Sequence, residues 1–162
     1  MSKIIYEPQT YFDLIDRSEW QLLSDNHQPW FNEPDEVAFL ALGYRAAITR
    51  NNMGILCGYI AVNVEHPWFG HKRAVLDIEV HGGLTYSGFR VFKSIFYAEP
   101  PNMLWWLGFD CALAGDVIPR FVGNPQISPK FNSPFDSYKT IKYCKKQCNS
   151  LARQAIVAAT AK

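Results

Sequence analysis

The chain has little net charge. Sixteen basic and fifteen acidic residues leave a formal charge of +1. No strong field draws in polyanions, so duplex nucleic acid is not an expected partner. Long hydrophobic runs are also lacking. No stretch approaches the roughly 20 apolar residues of a membrane span. The opening Met1-Ser2-Lys3-Ile4-Ile5-Tyr6-Glu7 has no apolar run of the signal-peptide kind. The expectation is a cytoplasmic protein with no membrane partner. The four cysteines (Cys57, Cys111, Cys144, Cys148) lack metal-ligand spacing. They read as small core residues of a reduced protein. No phosphate-binding P-loop, G-x-G-x-x-G, H-E-x-x-H or nucleophile elbow occurs. No serine or cysteine stands visibly beside a base, and repeats and low-complexity segments are absent.

Hydrophobic residues make up 48% of the 162, enough for one domain over residues 1–162 with its own core. Aromatics reach 15%. Trp30, Trp68, Phe69, Phe131 and Phe135 fall at loop-like positions, where rings would cover a surface or stack on a ligand.

The pattern predicts an α+β fold: a central antiparallel β-sheet with helices packed on it, including a long C-terminal helix. Residues 10 to 24 have a helical start at Thr10. Pro34-Asp35-Glu36 suits a second helix start, with proline and acids in the first turn. Strands are expected at 44–50 and 55–64, joined by Asn51-Asn52-Met53-Gly54. Two more are expected at 75–81 and about 103–109. Recurrent prolines (Pro119, Pro125, Pro129, Pro134) make 112–135 an extended loop. Asp136 or Ser137 then caps a helix to about Ala159. Its apolar stripe is Ile141, Cys144, Cys148, Leu151 and Ala155, with Lys142, Lys145, Lys146 and Arg153 on the wet side.

Two segments carry the polar groups. Val80-His81-Gly82-Gly83-Leu84-Thr85-Tyr86-Ser87-Gly88 and Trp105-Trp106-Leu107-Gly108-Phe109-Asp110-Cys111-Ala112-Leu113-Ala114-Gly115-Asp116 each leave an apolar run and end in a glycine turn. A backbone that a ligand can approach closely is found at such turns. Asp77, Glu79 and His81 alternate onto one strand face, opposite Leu76, Ile78 and Val80. The ligand-binding candidates are His81, Gly82, Gly83, Thr85, Tyr86, Trp68, Trp106 and Asp110. If the protein is an enzyme, the catalytic candidates are His81, Asp110 and Asp116. Asp110 could equally cap the turn that follows it. Two carboxylates could hold a divalent cation through oxygen ligands. Glu65-His66-Pro67-Trp68-Phe69-Gly70-His71 could form a lid over a flat ligand, or pack down on the sheet.

The run VHGGLTYSG, followed about twenty residues later by WWLGFDCALAGD, resembles a family of small, largely uncharacterised bacteriophage and prophage proteins. The similarity covers about residues 43 to 118, and Tyr138-Lys139-Thr140-Ile141-Lys142-Tyr143 also looks like the family's end. Relatives carry a histidine where this chain has Leu113. The resemblance implies a constellation of His81, Asp110, that histidine and Asp116, one member of which is missing here. Two functions follow as expectations. The first is a nucleotide-like small-molecule binder that sequesters a host immune signal. In it Trp68, Trp106 or Tyr86 stacks on a base, Gly82-Gly83 meets phosphate, and Arg45, Arg73 or Arg90 is the countercharge. The second is a metal-assisted phosphodiester or nucleotide hydrolase using His81, Asp110 and Asp116. A third, blander reading is a small partner-binding protein using exposed aromatics, which a homo-oligomer, such as a homodimer burying Trp30 and Phe135, would favour.

Overall fold

The computed structural model describes residues 8–18, 20, 28–122 and 135–161. The strands are β1 (Gln9–Tyr11), β2 (Glu36–Ala41), β3 (Tyr44–Arg50), β4 (Leu56–Val62), β5 (Tyr86–Gly88) and β6 (Trp105–Asp110). They form one antiparallel sheet in the order β1-β2-β3-β4-β6-β5. The helix α1 (Ile141–Thr160) packs across one face. The α+β architecture and the C-terminal helix are as the pattern predicts.

Alternation divides the core in two. Ile48, Ile60, Leu107 and Phe109 face α1 and meet its fully buried Cys144, Cys148, Leu151, Ala152 and Ala155. Ala38, Ala47, Tyr59, Ala61 and Trp106 face the other way, where Phe92, Ile95 and Leu104 cover them. The lysines Lys142, Lys145 and Lys146 lie on the exposed side of α1.

Four element expectations are corrected. Where residues 10 to 24 are described, Thr10 belongs to β1 and no helix forms; 19 and 21–24 lie outside the described residues. The segment after Pro34 is a strand from Glu36, not a helix, because β2 pairs along its whole length with β3. Leu42 and Gly43, with φ of 50° and 92°, close that hairpin. Positive φ at both central residues matches the twist of the flanking strands. The predicted strand at 75–81 is instead a short 3-10 turn, Arg73–Val75, followed by an extended strap outside the sheet. Its backbone is bonded to helix side chains rather than to a neighbouring strand. Gln154 bonds the N–H and C=O of Glu79 at 2.9 and 2.6 Å, and Gln147 accepts from the N–H of His81 at 2.9 Å. The expected alternation survives, with Leu76, Ile78 and Val80 against the core and Asp77 and Glu79 exposed. Finally, the helix begins at Ile141 with Thr140 as its cap, whose hydroxyl accepts from the Tyr143 N–H at 3.1 Å. Ser137 is spent on the backbone of Gly115 and Val117, at 2.9 and 3.0 Å.

A buried ionic network ties these parts together. Arg50, with no exposed side-chain surface, bonds Asp35 (3.1 Å), Glu33 (3.3 Å), Tyr138 (2.7 Å) and the carbonyls of Pro34 and Gly54. Asp35 also holds Arg17 and accepts the N–H groups of Leu14 and Ile15. The other oxygen of Glu33 accepts the Ile141 N–H at 2.8 Å, satisfying an open donor at the helix start.

Candidate functional site

The strand-end residues separate onto the two faces of the sheet. On the helix side, His81 lies 2.8 Å from Asp116 through Nε2 and 2.7 Å from the Tyr143 hydroxyl through Nδ1. Asp116 is buried, and its carboxylate also accepts the Leu113 N–H at 3.1 Å and Lys139 Nζ at 3.0 Å. A carboxylate only accepts, so the imidazole Nε2 carries the proton, and in the neutral ring Nδ1 accepts from Tyr143. Burial raises the Tyr143 pKa, and Cys111 and Asp116 nearby raise it further. The phenol therefore keeps its proton.

The glycine turn beside this cluster is occupied. The Gly83 N–H donates to Val80 O at 2.8 Å and is not offered outward. Gly82 has φ +69°, and a Cβ there would lie 2.4 Å from Leu113 Cδ1. Leu113 thus covers the turn expected to meet phosphate.

Asp110 does not join His81 and Asp116. It stands opposite Cys57 on β4, and its Oδ1 accepts the Ala112 N–H at 3.2 Å, the capping role. Among the described residues no three His, Cys, Asp or Glu side chains converge as a metal-ligand set. Trp68 is not a lid. It is buried, edge-on to His66 at 5.0 Å, and its backbone N–H donates to His66 Nδ1 at 3.0 Å. Trp30 is buried against Tyr138 at 5.0 Å, so it cannot serve a homodimer surface. Phe135 is 94% exposed, and Phe131 lies outside the described residues. The N–H of Thr85 donates to Gly108 O at 2.9 Å, extending the β5–β6 ladder.

Trp106 and Asp110 face the second side of the sheet from β6, and there Tyr86 lies beside Arg90, expected only as a countercharge. Arg90 places its guanidinium over three rings, with Cζ 4.6 Å from the centre of Tyr59, 5.3 Å from Tyr86 and 5.3 Å from Phe92. Arg45 is paired with Glu99 at 2.7 Å, and Arg73 donates to the Thr85 carbonyl. Arg90 has no carboxylate partner among the described residues, and its buried Nε has no hydrogen-bond acceptor. It lines two cavities. One, of about 470 Å³, includes Thr49, Asn52, Cys57 and Lys93. The other, of about 220 Å³, is walled by Phe92, Ile95, Phe96, Leu104 and Trp106, and by Glu99, whose Oε1 is paired with Arg45 and whose Oε2 is buried without a partner among the described residues. Burial pushes the Cys57 thiol up to about 12, Asp110 reinforces this, and Arg90 opposes it. Cys57 is an inert wall rather than a nucleophile.

Tyr143, Lys139 and Gln147 carried no local sign of a role beside His81. Tyr143 and Gln147 reach His81 from a helix more than sixty residues away, and Lys139, just before that helix, reaches Asp116, a meeting that only the fold creates. Arg90 did carry a signal, since it lies between aromatic residues in sequence and lacks an acidic neighbour. No family model, curated protein or solved structure matches this chain.

Proposed function

We propose that the protein binds a small anionic, nucleotide-like molecule on the second face of the sheet, with Arg90 as the anion anchor. The observation that carries this reading is the Arg90 guanidinium stacked on three rings, its Nε–H buried without an acceptor, at the junction of the two cavities. Ring faces hold the cation in place at low entropic cost, and its planar fork suits a phosphate or carboxylate. Lys93 adds a second cation, while Glu36 on the same wall is already engaged by the N–H groups of Ser94 and Ile95. Phe96, 75% exposed at the smaller cavity, offers a ring to a flat heterocycle, whereas Trp106 is buried against Phe92 and does not stack on the ligand. In the phage setting that the resemblance implies, such a protein would sequester a nucleotide-derived immune signal.

Thermal shift with nucleoside monophosphates, cyclic dinucleotides and cyclic ADP-ribose isomers tests the reading. At least one should raise the Tm and be recovered intact after heat release. Arg90→Met should abolish the shift. A panel with no shift, or a shift unchanged in Arg90→Met, overturns it.

The hydrolase reading keeps one supporting observation, the 2.8 Å His81–Asp116 pair beside Leu113. Leu113→His would restore the missing group. Turnover of a phosphodiester with Mg²⁺ or Mn²⁺ by that variant, lost on His81→Ala, would favour it.

A further inference from the structure

The smaller cavity on the second face carries an acid as well as a cation. Its walls are otherwise largely apolar, with Phe92, Ile95 and Leu104 buried in them and Pro101 beside them. Glu99 lines it too, and Pro100 directly after it restricts its backbone to extended conformations. Arg45 holds one carboxylate oxygen, Oε1, from Nε at 3.1 Å and from Nη2 at 2.7 Å. The other oxygen, Oε2, is buried and has no hydrogen-bond partner among the described residues. Burial works to raise the Glu99 pKa, but the Arg45 bonds outweigh it and bring it below the ordinary value. Glu99 is therefore a carboxylate, and a carboxylate only accepts. Such an oxygen, shut away from water, is costly to leave without a donor.

We infer that Glu99 Oε2 accepts from an exocyclic amino group on the ligand's ring, so that the smaller cavity selects an amino-bearing heterocycle. The inference rests on the reading that Arg90 anchors the ligand's anionic group. The two ends of the ligand then meet opposite charges. Arg90 takes the phosphate on the side of Lys93, and Glu99 takes the amino group among the apolar walls. A purine without the amino group brings no donor to Oε2. Uracil brings an N–H only between two carbonyl oxygens, which the carboxylate repels.

Glu36 supplies the contrast. It lines the larger cavity, and its Oε1 accepts the N–H groups of Ser94 and Ile95 at 2.8 and 3.3 Å. Its negative charge is met by the protein's own backbone. At Glu99 the prolines at 100 and 101 have no N–H to give, and Arg45 reaches only Oε1. The open acceptor of this face is therefore in the smaller cavity, beside the ring site.

The test is calorimetric titration with two pairs of nucleotides. Adenosine 5′-monophosphate is set against purine riboside 5′-monophosphate, which lacks the amino group, and cytidine 5′-monophosphate against uridine 5′-monophosphate. The amino-bearing member of each pair should bind on the order of tenfold more tightly. In Glu99→Gln the amide oxygen faces Arg45 and the NH₂ turns to the cavity, where it opposes the ligand's amino group. Both ratios should then fall to about one or below. If Glu99→Gln does not fold, Glu99→Asp, which withdraws the carboxylate by one methylene, should narrow both ratios. Ratios near one in the unaltered protein, or ratios retained in the folded Glu99 variant, overturn this inference and leave the Arg90 anchor standing. Failure of both amino-bearing nucleotides to bind, or binding unchanged in Arg90→Met, overturns the anchor and this inference with it.

Discussion

His66 ties the stability of the molecule to pH. It is buried, its Nε2–H donates to the Ala155 carbonyl of α1 at 2.8 Å, and its Nδ1 accepts the Trp68 N–H. Burial lowers its pKa below the ordinary 6.5, and the Ala155 bond only partly offsets that. The folded state prefers the neutral ring, so the unfolded chain binds the proton more readily. Stability is full above the ordinary value and is lost as pH falls through it toward the folded pKa. The urea midpoint should fall from about pH 7 to about pH 5, and less so in His66→Gln. A flat or rising midpoint would contradict this. Gly82 gives a second prediction. Its left-handed φ opposes a side chain, and so does Leu113, whose methyl group would stand 2.4 Å from a Cβ added there. Gly82→Ala should cost about 1–3 kcal/mol by chemical denaturation. In a Leu113→Ala background the cost should shrink to the φ strain alone, which a double-mutant cycle measures.

At the scale of elements, the strap at 76–81 shows what periodicity reveals and what it hides. The alternation of Leu76, Ile78 and Val80 with Asp77 and Glu79 was legible, and so was its inward face. Its hydrogen-bond partners were not, because they are two glutamines seven residues apart on α1. Gln147→Ala and Gln154→Ala should each cost about 1 kcal/mol, and should speed hydrogen exchange at the His81 and Glu79 amides respectively. Unchanged exchange would mean that the strap is held by its apolar side chains alone. The β2–β3 hairpin was hidden for another reason. Leu42-Gly43 adopts positive φ, which sequence reading expects of Asn-Gly or Asp-Gly, not of leucine. The β3–β4 loop was legible, since Asn51 Oδ1 accepts the N–H groups of Met53 and Ile55 as an Asx turn does.

At the scale of the whole molecule, Arg50 joins β3, the segment before β2 and the helix start through Asp35, Glu33 and Tyr138. Its partners come from as far as residue 138, so no local pattern announced the network. Arg50→Met should cost about 3–5 kcal/mol, because it leaves Asp35 and Glu33 inside without their shared cation. A loss under about 1 kcal/mol in the denaturation curve would show that Arg17 alone suffices for Asp35. The candidate site divides in the same global way. The sequence places His81, Tyr86, Trp106, Asp110 and Asp116 within two short segments, yet the strap and the turn after β6 bring His81 and Asp116 to α1, while Tyr86, Trp106 and Asp110 face away from it.

The central claim is that Arg90 awaits an anion. Its Nε–H is buried, lacks an acceptor and lies among three aromatic rings. In a ¹⁵N-labelled sample this proton should give its own ring-shifted resonance, absent from Arg90→Lys. Titration with a nucleoside monophosphate should move that resonance downfield and to saturation, as a phosphate oxygen becomes its acceptor. A resonance that stays in place throughout a titration with nucleoside mono-, di- and cyclic phosphates would contradict the account.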